Sequence, residues 1–262
     1  MFGKAYDFTF NGVSASNFGL MLCDIGSNKH SNNSFGNKAN IVEKRLADRV
    51  APLHYGVRYN DEPLEFTLIF AGERKLTLFE QEEVNYWLCG SQQYSWLSID
   101  SQEYAHLEFR CFVTELKQIS VGWYPIGFEA TIRCDSPYAY GPEFTETYEV
   151  ADELSVLFRN NGSCKELMTP VMTVELDDGC RNFSMTNETV GETMAFAELP
   201  TGGLRLTIDF KDEIITESTG NYNVYDYFNF VFPDFVQGDN RITLSGTGTV
   251  TITGRFLYAV VV

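Results

Sequence analysis

The chain has 262 residues, which suits two domains or one large β domain, and its hydrophobic content of 44% is enough for a sizeable core. Its net charge is −17: residues 1–139 carry 12 Lys and Arg against 17 Asp and Glu, and residues 140–262 carry 7 against 19. A surface this acidic repels phosphate, which excludes stable, sequence-independent binding of nucleic acid.

The first quarter of the chain predicts strands separated by one long polar segment. Asn11-Gly12 is a hairpin turn signal, and apolar residues alternate before and after it. These alternating residues are Tyr6, Phe8 and Phe10, followed by Phe18, Leu20 and Leu22. Residues 26–40 offer little that could pack, so we expect them to become ordered only against a partner. Further strands are predicted within 41–49 and 57–72.

The stretch from Thr77 to Leu97 predicts the one convincing helix. Thr77 and Glu80 have the spacing of a capping box, and two more glutamates follow near the first turn, where the helix dipole favours negative charge. Gly90 is predicted as a left-handed C-terminal cap. At helical spacing the apolar residues form one arc, expected to cover a sheet: Phe79, Val84, Tyr86, Trp87 and Leu88. The acidic residues therefore have structural roles, and no catalytic role is assigned to them.

Strands are predicted next within 94–100, 105–116 and 126–134, and the last two flank a hairpin tip that carries Trp123 and Tyr124. The apolar pattern then breaks at residues 134–150, where Pro137 and Pro142 stiffen the chain. We therefore predict an N-terminal domain at 1–139, a linker at 140–150 and a C-terminal domain at 151–262.

The C-terminal domain reads as a β-sandwich of short strands with regular turn signals. In its last segment Ile242, Leu244, Val250 and Ile252 share one parity. A three-residue turn at Gly246-Thr247-Gly248 would keep all four on one face of a hairpin, whereas a two-residue turn would not. The pattern therefore predicts the three-residue turn.

No arrangement of residues with catalytic or metal-binding spacing is visible in the sequence. His30, His54 and His106 lie far apart, and the six cysteines occur singly, as buried apolar residues would. The glycines at 246–248 precede a strand and not a helix, so they do not predict a phosphate loop. No apolar run is long enough to span a bilayer, and no signal-peptide core precedes the first strand. We expect no enzyme activity, no cofactor, no metal and no membrane insertion.

Two binding functions remain open from the residues alone. A carbohydrate-binding sandwich adhering to host cell-wall glycans would stack sugars on exposed aromatic rings, and one segment is rich in them: Tyr222, Tyr225, Tyr227, Phe228 and Phe230. Alternation places Phe228, Phe230 and Phe232 on one face, however, which is also typical of a core strand. The second hypothesis is a subunit of a structural assembly, which needs no reactive site and accounts for a polar segment that waits for a neighbour.

Motifs along nearly the whole chain resemble the distal tail protein (Dit) family of long-tailed (siphovirus) bacteriophages. These are "FTFNGVSASNFGLML" at the first strands, "YWLCG" before "YSWL" at the helix, "IRCDSPYAYGPE" at the domain boundary, and "NNGSCKELMTPVMTVEL", "LRLTIDF" and "VQGDNRITL" in the second half. The resemblance implies a mainly β fold: a barrel-like or split-sheet N-terminal domain with one α-helix, then a galectin-like sandwich similar to carbohydrate-binding modules.

The resemblance also implies a function. Proteins of this family form a homohexameric ring, the hub of the baseplate or tail tip, through which DNA passes. Their partners are the tail tube protein, the tail-associated fibre or lysin protein, and receptor-binding proteins. By this analogy residues 26–49 would be an arm that reaches an adjacent subunit. The protein would be made in a bacterial cytoplasm and kept in the virion. We predict contacts with neighbouring subunits or partners at Phe35, Ile41, Val42, Trp123 and Tyr124.

Overall fold

The computed structural model describes residues 7–25, 39–46, 50–59, 62–102 and 104–260. Within these ranges the chain forms sixteen strands, one α-helix and two short 3-10 helices, which confirms the mainly β fold class. The strands are β1 Asp7–Phe10, β2 Val13–Ser14, β3 Met21–Ile25, β4 Ala39–Lys44, β5 Leu53–Tyr59, β6 Glu65–Ala71, β7 Ser95–Asp100, β8 Glu108–Val121, β9 Tyr124–Cys134, β10 Ala139–Asn160, β11 Val171–Leu176, β12 Phe183–Asn187, β13 Glu192–Phe196, β14 Arg205–Asp209, β15 Ile214–Glu217 and β16 Gly238–Tyr258. The helix α1 is Leu78–Cys89, and the 3-10 helices are Ala15–Phe18 and Val224–Tyr227.

The chain divides into two compact units. Unit 1 comprises residues 1–140 and 258–262, and unit 2 comprises residues 141–257. The segment 140–150, predicted as a linker, is the first half of strand β10. Phe144 and Tyr148 in this segment pack against the core of unit 2, so tertiary contacts make a strand where the local sequence has a proline, a glycine, three acids and a broken apolar pattern.

Unit 1 is built on an antiparallel sheet in the order β2-β1-β7-β8-β9-β6-β3. The predicted turn is present: Asn11 and Gly12 both have positive φ, 51° and 76°, and pair Phe10 with Val13. This is the geometry that Asn-Gly favours. The strand after the turn is only two residues long, and the chain then forms a 3-10 helix. The apolar residues predicted on one return strand are therefore divided: Phe18 ends the 3-10 helix, Leu20 follows it and Leu22 lies in β3. Strand β3 pairs with β6.

Helix α1 covers the core of unit 1 through the side that carries Trp87. The Trp87 ring lies 5.6 Å from Phe8 and 4.7 Å from Phe18, stacked on both, and its Nε1 donates a hydrogen bond of 2.9 Å to the Phe10 carbonyl. The Phe8 ring also meets Phe70 of β6, 5.1 Å away. Rings from β1 and β6 thus meet in one core, although three strands, β7, β8 and β9, lie between them in the sheet.

The start of α1 was predicted correctly, whereas its end and its apolar arc were not. Thr77 and Glu80 form the reciprocal capping box. Gly90, predicted to be left-handed, has φ −76°. A glycine is needed there for a different reason, because a Cβ would lie 2.3 Å from the Tyr86 carbonyl oxygen. Phe79 and Tyr86, predicted to be buried, are exposed, so only part of the apolar arc faces the core.

Unit 2 is a two-layer β-sandwich in which β10 and β16 belong to both layers. Strand β16 pairs with β12 through residues 242–245 and with β11 through residues 248–253. One layer continues to β13, and the other to β14 and β15. Strands β10 and β16 run side by side, and their hydroxyl groups meet at Thr147 with Thr251 and at Ser155 with Thr243. Both contacts fit the same antiparallel register, and in that register Asp152 lies opposite Gly246.

The three-residue turn predicted at Gly246-Thr247-Gly248 is wrong, because these residues lie inside the continuous strand β16. Gly246 and Gly248 have φ values of 132° and 142°, and Asp152 on the neighbouring strand has 107°. Long strands pass from one layer of a sandwich to the other by such local bends. The prediction that these four alternating apolar residues are buried is confirmed: Ile242 and Leu244 are buried before the bend, and Val250 and Ile252 are buried after it.

The aromatic segment 228–232 does not form the strand that its alternation predicted. Phe228 is buried and stacks on Phe196 at 4.9 Å, while Phe230, predicted to share its face, is 68% exposed. The backbone of Phe230 is left-handed, with φ 60°, which breaks the alternation of the chain at this residue. The galectin-like assignment of unit 2 stays a prediction.

Candidate functional site: exposed apolar surfaces

Strands β4 and β5 form a separate two-stranded hairpin, and we call its described residues, 39–46 and 50–59, the arm. Of the arm predicted at 26–49, residues 26–38 and 47–49 lie outside the described residues. Among the described residues these strands pair with each other and with no further strand. Ile41 pairs with Val57, and the side chains of both are exposed, that of Ile41 at 57%. A bulge follows Val42, and Tyr55 is the extra residue there, also exposed. A two-stranded hairpin with apolar side chains in water is marginal by itself, which is typical of a segment that is covered on assembly.

The turn between β8 and β9 is a second apolar surface, which we call the tip (residues 121–124). Val121, Trp123 and Tyr124 are all exposed, and Trp123 at 96% makes almost no contact with its own chain. Gly122 has φ 59°, the left-handed value that allows this tight turn. The Lys75 ammonium lies 5.2 Å from the centroid of the Tyr124 ring, which holds that ring by a cation–π contact.

Helix α1 presents the third surface, which we call the helix face: Leu78, Phe79, Glu82, Glu83 and Tyr86. All five side chains are exposed, Tyr86 at 80%. Phe79 and Tyr86 are seven residues apart and therefore lie on one side of the helix, with the two glutamates between them. Val84 and Leu88 are buried on the opposite side.

Within the described ranges no cluster of three or more His, Cys, Asp or Glu side chains has the geometry to hold a metal ion. Two groups with raised pKa values each have an acidic neighbour. Burial and the neighbouring Asp135 raise the pKa of Tyr140 to about 12, and Tyr140 donates a hydrogen bond of 3.0 Å to that carboxylate. Burial and nearby Glu192 raise the pKa of Asp234.

The residues predicted at interfaces lie on two different hairpins. Ile41 and Val42 are on the arm, and Trp123 and Tyr124 are on the tip. Phe35 lies outside the described residues. That they contact a neighbouring subunit or partner stays a prediction.

Sequence reasoning missed the helix face and the apolar residues of β5, Tyr55 and Val57. A signal for the helix face was present, because six large apolar residues within twelve exceed what one side of a short helix can bury.

Comparisons with known families match almost the entire chain. The profile described as phage tail protein N-terminal domain matches residues 4–136, and the profile described as phage tail C-terminal domain matches residues 138–254. A comparison with curated proteins found no match. No helix among the described residues has the length and apolar character needed to cross a membrane.

Solved structures share the fold at low sequence identity. The Dit protein of phage SPP1, whose crystal structure is described as a paradigm of the hub adsorption apparatus in phages that infect Gram-positive bacteria, superposes with a TM-score of 0.71 at 12% identity, covering 97% of this chain and 100% of that one. A chain of the phage p2 baseplate in its activated conformation with strontium gives 0.52 at 8% identity, covering 96% and 97%. A chain of the calcium form gives 0.52 at 9%, covering 98% and 99%.

The resemblance to the Dit family seen in the sequence motifs is thus matched by the fold over the full length of the SPP1 protein. The N-terminal profile alone covers half of the chain, and the C-terminal profile continues directly after it. The chain therefore belongs to the phage tail proteins, a family of structural virion components and not of enzymes.

Proposed function

We propose that this chain is the distal tail hub of its phage: a homohexameric ring at the end of the tail tube that joins the tube to the tail tip and lets DNA pass. The observation that carries the proposal is the arm, a hairpin with exposed apolar side chains in a chain that has the Dit fold. Covering such a hairpin with a copy of the same chain supplies the association energy that a ring needs.

The charge of the chain supports a role as a conduit. With a net charge of −17 the subunit repels phosphate, so a ring of six copies would offer DNA little to adhere to. The partners of such a hub are the tail tube protein on one side and the tail-associated fibre or lysin protein on the other. Receptor-binding proteins would attach at the outer surface. The tip, whose Trp123 ring is almost fully exposed, is suited to one of these contacts.

The ring is tested by removing the arm. Ala39 and Tyr59 pair with each other, so excising residues 40–58 leaves chain ends that a four-residue Gly-Ser linker can close. We expect the shortened chain to keep its fold and to lose the ring. Light scattering after gel filtration measures the oligomer, and negative-stain micrographs count its subunits. The matched control is Leu157→Ser with Ile214→Ser, which removes exposed apolar surface from unit 2 and should keep the ring. A wild-type chain that stays monomeric at all concentrations, or a shortened chain that still forms the ring, contradicts the proposal.

A second candidate function is binding of cell-wall glycans by unit 2. The observation in its favour is Phe230, whose exposed ring stacks on Tyr225 with centroids 6.0 Å apart, since flat exposed rings bind sugars. A glycan array probed with the full-length chain and with its Phe230→Ala variant tests it. Binding that the substitution abolishes supports this function, and the absence of any bound glycan argues against it.

A further inference from the structure

We infer that the arm of one subunit docks on the helix face of the next subunit. The inference rests on the proposed ring and specifies its contact: the apolar strands of the arm cover Phe79 and Tyr86, and the basic residues of the arm meet Glu82 and Glu83. The partner of this surface is therefore a second copy of the chain.

The helix face combines aromatic rings with negative charge. Phe79 and Tyr86 are 67% and 80% exposed, although aromatic rings of this size are usually the most buried part of a short helix. Helix α1 has three glutamates and no basic residue. Glu80 is held by Arg74 and by the Thr77 backbone, whereas Glu82 and Glu83 project into solvent between the two rings. A surface that fits here has to be both apolar and basic.

The arm has this composition. Its described residues, 39–46 and 50–59, carry three Lys and Arg against one Glu, a positive balance in a chain whose net charge is −17. Lys44 and Arg45 are exposed at the end of β4, and Ile41 and Val57 form an exposed apolar pair on the same hairpin. Apolar contact at the centre with opposite charges at the rim is the usual arrangement of a specific protein interface.

The geometry of the contact also fits a ring. The arm and the helix face are different surfaces of the subunit, so a contact between them is heterologous: each copy donates an arm and accepts another. Such contacts do not stop at a dimer, and they close into a ring when the rotation between neighbours divides a full turn. An interface between two copies of one surface would instead give a dimer.

The test uses charge reversal in the full-length chain. One variant reverses the arm, Lys44→Glu with Arg45→Glu, and the other reverses the helix face, Glu82→Lys with Glu83→Lys. In each variant alone the facing surfaces carry like charges, so we expect association to weaken about tenfold or more. In an equimolar mixture every contact joins opposite charges again, because a reversed arm meets a reversed helix face and a native arm meets a native one. The mixture should therefore assemble with alternating subunits.

The control variant, Glu153→Lys with Asp212→Lys, makes the net charge less negative by the same amount as the helix-face variant, at exposed positions of unit 2, and should assemble like wild type. Sedimentation velocity measures the assembly of all five samples: wild type, the two reversal variants, their mixture and the control. If wild type forms a ring and the helix-face variant forms it equally well, the docking inference is wrong while the ring stands. The inference also fails if both variants lose the ring but their mixture does not recover it. If wild type itself does not associate, both proposals fail.

Discussion

Trp87 and Tyr86 are neighbours in the sequence, but the fold gives them opposite environments, which makes them a matched pair for testing the orientation of helix α1. Trp87 packs on Phe8 and Phe18 and donates to the Phe10 carbonyl, whereas Tyr86 is 80% exposed. We expect Trp87→Ala to destabilise unit 1 strongly and Tyr86→Ala to have almost no effect on stability.

The expected magnitudes follow from these contacts. Truncating a core aromatic residue to Ala costs about 3–5 kcal/mol, and because Trp87 is half-buried we expect about 3 kcal/mol. Trp87→Phe keeps a ring against Phe8 and Phe18 but leaves the Phe10 carbonyl without its donor, which costs about 1–2 kcal/mol. Tyr86→Ala removes only exposed surface, so its effect should stay within about 0.5 kcal/mol. For a unit of this size 1 kcal/mol corresponds to about 4 °C, so Trp87→Ala should lower Tm by about 12 °C.

Differential scanning calorimetry of the full-length chain measures these shifts, and far-UV circular dichroism confirms that each variant is folded at the starting temperature. If the two units unfold separately, only the transition of unit 1 should move. Equal destabilisation by Tyr86→Ala and Trp87→Ala would show that the helix packs in a different orientation. The helix face would then be buried, and the docking inference would lose its basis.

Three further predictions concern other features of the fold. Gly248→Ala should destabilise the fold by more than about 2 kcal/mol, because its Cβ would lie 2.1 Å from the Glu175 carbonyl oxygen at a φ of 142°. Asp152→Gly should instead stabilise the fold by about 1 kcal/mol, because its φ of 107° suits glycine. Urea unfolding measures both changes, and equal effects would contradict the bend. Hydrogen bonds from Arg74 and the Thr77 backbone hold the pKa of Glu80 at about 2, below its usual 4.5, so the stability that this carboxylate contributes is complete above about pH 4.5 and is lost as the pH falls towards 2. The Tm difference between wild type and Glu80→Gln should therefore shrink on acidification from pH 6 to pH 3, and a constant difference would refute the capping role. In maleimide labelling followed by mass spectrometry, exposed Cys23 should be modified first, and Cys111 and Cys134 should react only after unfolding. Burial raises the pKa of both of these thiols, that of Cys134 to about 12. Rapid labelling of either thiol in the folded chain would be inconsistent with this core.

Local signals were read correctly where the deciding interactions are themselves local. The Asn11-Gly12 turn, the Thr77–Glu80 capping box and the β8–β9 hairpin each depend on a few adjacent residues, and the structure has all three. Alternation also identified the buried residues of β16, because a strand in either layer of a sandwich keeps the same period.

Expectations failed where one local pattern is compatible with two long-range arrangements. Two glycines between two runs of alternating apolar residues are compatible with a hairpin turn and also with a bend within a single strand. Strand β16 is continuous because β12 pairs with its first half and β11 with its second. The segment 140–150 became a strand for a similar reason, since Phe144 and Tyr148 find a core to pack against.

The sequence by itself determined the mainly β class and the helix with its start, because turn chemistry, capping and alternation are properties of neighbouring residues. Its motifs also resembled the family that the profiles then showed. Only the tertiary structure decided which apolar side chains stay exposed. Exposure depends on what covers a residue, and the covering residues come from distant parts of the chain. The six large apolar residues of helix α1 look alike in the sequence, but the sheet below the helix buries Val84 and Leu88 and leaves Phe79 and Tyr86 in solvent.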